Sequence, residues 1–439
     1  MKALYIKMMG VFVLISLLWL QAESNLFSYT NFFEYRSALI QFSGIIAITL
    51  MTMVMLLALR LSFIERLTQG LDKSYHLHKW MGIGALVTAV IHWMIAIVPK
   101  YLVRWDMLEK PVRTQNVLNP DSLYSIIRPL RSGAEGLGEW AFYVMLVLGG
   151  ISLLGAIGYK TFKLSHKLMS ACFLVIAYHS AILIKHSYWP YIITYLILAI
   201  IACGMFAAVW SLCGKIGKKR AFKAHVSGFS HDNDNQVTDL RLSVKDWPGH
   251  RRGQFAYVNI GNHEPHPFTI ASVDRSDGQL RFLVKELGDF TAKLKTQLVL
   301  GQSATIEGPY GQFNFDDTHP QIWIGGGIGI ATFKAALQQR QNSSAIKPVT
   351  LYYCTSNPSS RFISELEREA IKAHVTLKII DGRSQPYLTV DQLLSRHPDI
   401  QCNSIWFCGP IAFSNQLTQD LTAIGYDLDL FHREYFSMR

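Results

Sequence analysis

Hydrophobic and polar positions follow two regimes along the chain. Up to about residue 210, apolar runs too long for a globular core recur; beyond it, charged and apolar residues mix. A spanning helix needs about 20 apolar residues, and the pattern predicts six, at about 4–21, 38–59, 79–98, 140–158, 167–185 and 189–212. Lys2 and Lys7 ahead of GVFVLISLLWL give the first run the look of a signal peptide, with Ala22 near a cleavage position. Leu20 stands where such a site wants a small residue, so a retained helix is expected. After residue 220, AHVSGF, VTDLRLSV, GQFAYVNI, LRFLVKEL and ATIEGPYG alternate as short strands between turns, which predicts a small antiparallel barrel. From about 320 the pattern becomes strand, glycine turn and helix in QIWIGGGIGIATFKAAL, followed by strands at VTLYYCTS, VTLKIID and SIWFCGP. Strands alternating with helices mean a mostly parallel sheet. The expected fold is therefore multidomain: an all-α six-helix transmembrane bundle over 1–215, an antiparallel β-barrel over 216–316 and an α/β domain over 317–439.

Composition agrees. Half of the residues are hydrophobic, mean hydropathy is +0.19, and only 17% are charged, against about 25% in soluble proteins. Disorder, a disulfide-rich secreted scaffold and a purely cytosolic enzyme are excluded. The +11 net charge does not form a stripe with interleaved aromatics, so nucleic acid is not an expected partner; many basic residues instead flank the apolar runs. Arg60, Arg66, Lys73 and Lys79, then Lys160, Lys163 and Lys167, then Lys215, Lys218, Lys219, Arg220 and Lys223 all fall on one side. The positive-inside bias makes that side cytoplasmic, together with both termini and the soluble half. The loop at 99–139 is then external, yet carries Lys100, Arg104, Lys110, Arg113, Arg128 and Arg131; it is either solvated or attracts an anionic substrate. None of Cys172, Cys203, Cys213, Cys354, Cys402 and Cys408 falls in an external segment, so no disulfide framework is implied.

Ionisable residues inside spans need a reason. HKWMGIGALVTAVIHW places His78 and His92 on the third span, and SHKLMSACFLVIAYHS places His166 and His179 on the fifth. At about 1.5 Å per residue the first pair is roughly 21 Å apart and the second roughly 20 Å. Two helices offering histidines at matching depths can clamp two stacked haems, each iron taking one imidazole from each helix with no open position. Fourteen steps return near the same helical face, but thirteen fall about 140° away. The fifth span therefore requires a π-bulge, a kink or unequal ring directions. His76 and His186 sit at aqueous ends and read as interface residues.

In the soluble half, His266-Pro267-Phe268-Thr269, with Ser272 beyond, can lay a stiff strand and a hydroxyl against a flat ring system. Lys285, Gly288 and Thr291 in VKELGDFTAKL offer a cation, a tight turn and a hydroxyl before a helix, the chemistry a pyrophosphate needs. Gly325, Gly326, Gly327 and Gly329 let backbone amides approach phosphate ahead of a helix opening near Thr332. The strand ending Cys354-Thr355-Ser356 lacks the acidic residue that would bind a ribose 2′-hydroxyl. Ser356 and Arg361 could instead receive a 2′-phosphate, which favours NADPH over NADH. Cys408, ahead of Gly409 and Pro410, could place a thiol beside a nicotinamide or be a buried strand-end cysteine.

Over nearly its whole length the chain resembles the bacterial ferric-reductase-like membrane flavocytochromes and their NADPH oxidase relatives. Paired histidines on two spans, HPFT, GPYG, GGGIGI, CGP and a near-terminal aromatic carry the resemblance. It implies six spans in the bacterial inner membrane, two b haems, FAD on the barrel and NAD(P)H on the terminal domain. It further implies that His78 with His166 ligate the inner haem, and His92 with His179 the outer one. By the same resemblance, residues 266–269 line the flavin, residues 325–332 and 408–410 hold the nucleotide, and Phe436 shields the flavin ring. The implied activity passes electrons from NAD(P)H to external oxygen, giving superoxide, or to a ferric chelate. The alternative is an electron-supply subunit for a periplasmic acceptor protein docked on the 99–139 loop. The turn GIGIAT lacks a proline that many relatives carry, and no EF-hand pattern is found, which implies activity without calcium control.

Overall fold

The computed structural model describes residues 2–110, 123–154, 159–261, 263–341, 347–384 and 387–434. It divides into two compact units, Met1–Thr68 with Ser74–Ile216, and Gln69–Lys73 with Gly217–Arg439.

The first unit is helical: α1 (Lys2–Ala22), α2 (Phe32–Leu57), α3 (Ser62–Thr68), α4 (Leu71–Arg104), α5 (Leu123–Ile127), α6 (Arg131–Leu153), α7 (Tyr159–Leu183) and α8 (Ile192–Leu212). Six of these helices are long and apolar enough to cross a membrane. α4 extends past both ends of its predicted run and α6 starts ahead of its own but ends at Leu153, because polar residues can extend a helix past the apolar stretch that marks it in sequence. Both ends of the expected 99–139 loop are thus helical; its centre, Arg113 included, lies outside the described residues.

Local chemistry sets the ends. Asn31 accepts from Phe33 N at 2.8 Å while Glu34 reaches back to Asn31 N at 3.4 Å, a capping box that starts α2. Pro99 inside α4 cannot donate to the Ile95 carbonyl. Arg36 compensates, giving Nε to Ile95 O at 3.0 Å and Nη2 to Ala96 O at 2.7 Å. Phe173, Ala177, Ile48, Met51, Ile197 and Ile201 form the bundle core. A Cβ on Gly204 would meet Phe173 Cζ at 2.3 Å, so that glycine lets α8 approach α7. α1 is part of the bundle: Ile15 and Trp19 are buried, and Trp19 Nε1 donates to Tyr188 Oη at 3.0 Å. At its end the buried Glu23 accepts from Tyr29, Tyr188 and, at 2.6 Å, Lys185.

In the second unit, β1 (Ala221–Asp232), β2 (Val237–Val244), β3 (Phe255–Ile260), β4 (His266–Thr269), β5 (Gln279–Lys285) and β6 (Ser303–Tyr310) form one antiparallel sheet. Its order is β4-β3-β6-β1-β2-β5, and an Ile270–Phe282 bridge joins the two edges into a barrel. α9 (Asp289–Gln297) lies between β5 and β6. Then follow β7 (Gln321–Gly326), α10 (Ile330–Arg340), β8 (Val349–Thr355), α11 (Ser360–Lys372), β9 (Thr376–Asp381), α12 (Val390–Arg396), β10 (Ser404–Cys408), α13 (Ile411–Ala423) and β11 (Phe431–Arg433). These strands form an all-parallel sheet in the order β11-β10-β7-β8-β9. Strand order reverses between β7 and β10, and ligands of open α/β sheets bind at the carboxyl ends of strands at such a switch point.

Candidate functional site

α4 and α7 bring the four membrane histidines together in two pairs. The rings of His78 and His166 have centroids 5.8 Å apart, and those of His92 and His179 are 6.4 Å apart. An iron between two imidazoles, with metal–nitrogen bonds of about 2 Å and a ring radius of roughly 1.1 Å on each side, requires about 6 Å. α7 is α-helical throughout, without a π segment. The ring planes cross at 57° in one pair and 85° in the other. α4 meets its neighbours through side chains, His78 on Val54 of α2 and Trp93 on Tyr143 of α6.

All four Nδ1 atoms are engaged by protein. His78 Nδ1 donates to Val54 O at 2.9 Å and His179 Nδ1 to Ala134 O at 2.8 Å. His92 Nδ1 lies 3.0 Å from Ser43 Oγ, and His166 Nδ1 lies 3.3 Å from Ser152 Oγ. Nε2 is therefore the nitrogen left to ligate, and its ring is held by a second partner, as in most metal-bound imidazoles. Among the described residues no group of three or more metal-ligating side chains is gathered. Two-ligand sites suit a metal that already has four equatorial nitrogens, so the residues fit a haem. Sequence reading missed the supports: Ser43, Ser152, and two glycines that make space. A Cβ on Gly138 would lie 2.0 Å from His179 Nδ1, and one on Gly44 would lie 3.3 Å from His92 Cε1. Small residues in apolar helices were the available signal.

In the barrel, HPFT is the short strand β4, paired with β3 from Phe255–Thr269 to Val258–His266. His266 stacks on Phe290 at 4.1 Å and 10°, and burial pushes its imidazole below its ordinary pKa. Ser272 Oγ accepts from Arg281 N at 3.2 Å. Gly288 is the N-cap of α9, and Thr291 Oγ1 accepts from Leu287 N at 2.9 Å and Gly288 N at 3.1 Å. The Thr291 hydroxyl thus shapes the turn that aims the α9 terminus, while Lys285 ends β5 beside it. Lys285, Asn235 and Val237 of the barrel share a cleft with Gly327, Thr355 and Asn357 of the α/β domain.

At the switch point Cys408 pairs with Gly325. Gly327 adopts φ +56°, and a Cβ on Gly329 would meet the Cys408 carbonyl at 2.1 Å. A Cβ on Gly409 would lie 3.0 Å from Gly326 Cα, and one on Gly326 would meet Pro410 Cδ at 2.8 Å. Glycine here brings the two turns into backbone contact as well as baring amides. α10 opens at Ile330, two positions before Thr332. Thr332 is buried and lies 3.2 Å from Cys408 Sγ through Oγ1; the thiol is itself fully buried, and burial raises its pKa. Ser356 and Arg361 are exposed after β8. Ser359, the N-cap of α11, donates to Asp232 Oδ2 at 2.6 Å, so a barrel carboxylate stands at that helix end. Phe436 lies outside the described residues.

Residues 43–177 match the family described as ferric reductase like transmembrane component, and residues 234–314 match an FAD-binding domain family. The reductase component of propane 2-monooxygenase from Rhodococcus jostii is 25% identical over 221 residues, 46% of this chain and 60% of that protein. The Aspergillus oryzae protein named "Probable cell surface ferric reductase kap2" is 26% identical over 363 residues, 72% of this chain and 43% of that one. The chain therefore spans 60% or less of the length of these two relatives. Among solved structures, the ferredoxin reductase in carbazole 1,9a-dioxygenase covers 49% of this chain and 69% of its own length, at 18% identity and a TM-score of 0.42. Residues 43–177 are thus similar to a ferric-reductase-like transmembrane component and residues 234–314 to an FAD-binding domain.

Proposed function

We propose that the chain carries electrons from cytoplasmic NAD(P)H, through FAD and two b haems, to oxygen or a ferric chelate on the other side of the bacterial inner membrane. The observation that carries this reading is the double histidine pair, each ring with its Nδ1 already engaged and its partner about one iron away. When bound, the nicotinamide supplies a hydride, FAD exchanges two electrons for single ones, and the haems relay them. His78 with His166 would hold the inner haem and His92 with His179 the outer one. His266, Pro267, Phe268, Thr269 and Ser272 would line the flavin, with Lys285, Gly288 and Thr291 at its pyrophosphate. Gly325, Gly326, Gly327, Gly329 and Thr332 would seat the nucleotide phosphates, with Gly409 and Pro410 closing the turn. Cys408, buried against Thr332, would shape the nicotinamide pocket from behind, and Phe436 would cover the flavin ring. Ser356 and Arg361 would receive the 2′-phosphate of NADPH; NADH, without that phosphate, would bind more weakly.

A second reading is electron supply to a separate periplasmic protein. It is favoured by the name of the Rhodococcus relative, a reductase component. One experiment separates the two. Purified protein is assayed for NADPH consumption with oxygen alone, with ferric chelate under argon, and with neither. Steady turnover in either of the first two supports the self-sufficient enzyme; flavin and haem reduction without turnover supports the second reading. A pyridine haemochrome assay of fully loaded protein should give two haems per chain, and His92→Leu or His179→Leu should give one. One haem in the unmutated chain would overturn the pairing.

A further inference from the structure

Each histidine pair is anchored by one backbone carbonyl and one serine. Ser152 of α6 faces His166 of one pair, and Ser43 of α2 faces His92 of the other. A hydroxyl has one proton to give. Ser152 Oγ gives it to Leu148 O at 2.8 Å, and Ser43 Oγ gives it to Leu39 O at 2.7 Å, each one helical turn back. Each oxygen can therefore only accept from the imidazole, which places the proton on Nδ1 and bares Nε2. A carbonyl acceptor such as Val54 O or Ala134 O belongs to the helix backbone and stays whatever the side chain. The serine acceptors can be removed by a single substitution.

We propose that Ser152 and Ser43 are positioning residues that fix the tautomer of His166 and His92 and set how strongly each imidazole donates to its iron. This rests on the two-haem reading above. An accepting oxygen on Nδ1–H makes the ring a better donor and stabilises the oxidised metal, so loss of the oxygen raises the reduction potential of that centre alone. His92 Nδ1 meets Ser43 Oγ at 3.0 Å and His166 Nδ1 meets Ser152 Oγ at 3.3 Å, so each substitution acts on one pair.

The test is a spectro-electrochemical titration of the full chain loaded with haem and FAD, with haem content measured on the same samples. In Ser152→Ala, one of the two haem waves should shift upward by about tenfold in its reduction equilibrium, which is 59 mV for one electron. The other haem wave and the flavin wave should not move. Ser43→Ala should shift the other haem wave instead, and Ser152→Thr, which keeps a hydroxyl, should restore the unmutated potential. Loss of one haem in Ser152→Ala that is restored in Ser152→Thr also supports the proposal, since an unheld ring ligates poorly. Two bound haems with both waves unchanged in Ser152→Ala would overturn it. Fewer than two haems in the unmutated chain would instead overturn the underlying reading, and the two failures are told apart by the haem count.

Discussion

At the scale of single residues, the tightest constraint on the proposed site is a missing methyl group. Gly138 has no room for a Cβ, which would sit 2.0 Å from His179 Nδ1, inside the hydrogen bond that ring makes to Ala134. Gly138→Ala should therefore expel or rotate the imidazole and lower haem content from two per chain to one, while the spectrum of the remaining haem stays intact. Gly44→Ala meets His92 Cε1 only at 3.3 Å and should keep both haems. Retention of two unperturbed haems in Gly138→Ala would show that the ring is not held there for ligation. The histidines were legible in sequence because ionisable groups in apolar runs stand out. Their supports were not, since Ser43, Ser152 and the two glycines look like ordinary small residues of membrane helices. Phe436 is a further residue-scale prediction. If it stacks on the flavin, Phe436→Ser removes a competing contact worth about 1 kcal/mol and tightens the NADPH Kd by roughly fivefold at unchanged melting temperature. A lower melting temperature with unchanged Kd would assign it to the core.

At the scale of elements, the switch between β7 and β10 and the contact between α10 and α11 make separable demands. Gly329→Ala drives a Cβ into the Cys408 carbonyl; overpacking of this kind costs about 1–3 kcal/mol and should weaken nucleotide binding, read by thermal melting and NADPH titration. Behind that turn, Lys334 of α10 has no exposed surface and reaches Glu365 at 2.8 Å and Glu369 at 2.9 Å on α11. Arg281 of β5 joins at 3.0 Å from Glu365 and 2.9 Å from Asp239, so one ionic chain ties the barrel to the α/β domain. Burial opposes the charge on Glu365, yet Lys334 and Arg281 hold its pKa at about 2, below the ordinary 4.5. A depressed carboxyl stabilises the fold fully above 4.5 and loses that contribution as pH falls toward 2. Flavin-fluorescence melts of the full chain should show a fall in Tm over that window, flattened in Glu365→Gln. Lys334→Met leaves the half-buried carboxylates of Glu365 and Glu369 without their shared cation, and should cost less than the about 3–5 kcal/mol of a fully buried pair because Arg281 remains. None of this network was legible: its residues are distant in sequence and each reads as a solvated charge. The strands β2 and β4, in contrast, were legible to the residue, because alternation and a proline mark them directly.

At the scale of the whole molecule, even span number and the distribution of basic residues make one directional prediction. Six helices among the described residues are long and apolar enough to cross, and Arg60, Arg66, Lys163, Lys167, Lys215 and Lys218 flank them, so the N-terminus and the FAD-binding unit are expected on one side. His78 and His166 lie toward the same end of their helices, with His92 and His179 roughly 20 Å deeper. Electron entry and exit are therefore expected on opposite faces. In sealed inverted vesicles, NADPH added outside should be oxidised while an impermeant ferric chelate trapped inside is reduced; the same chelate added outside should not be. His179→Leu should abolish lumenal reduction and leave flavin reduction by NADPH in place, because only the far pair is lost. Arg361→Glu should weaken the NADPH Kd without changing that for NADH. Equal kcat/KM for the two nucleotides in the unmutated chain would remove the 2′-phosphate assignment of Ser356 and Arg361 but not the direction of flow. Reduction of chelate added outside sealed vesicles by NADPH, undiminished in His179→Leu, would defeat the crossing itself: electrons would then leave the FAD-binding unit without passing the histidine pairs.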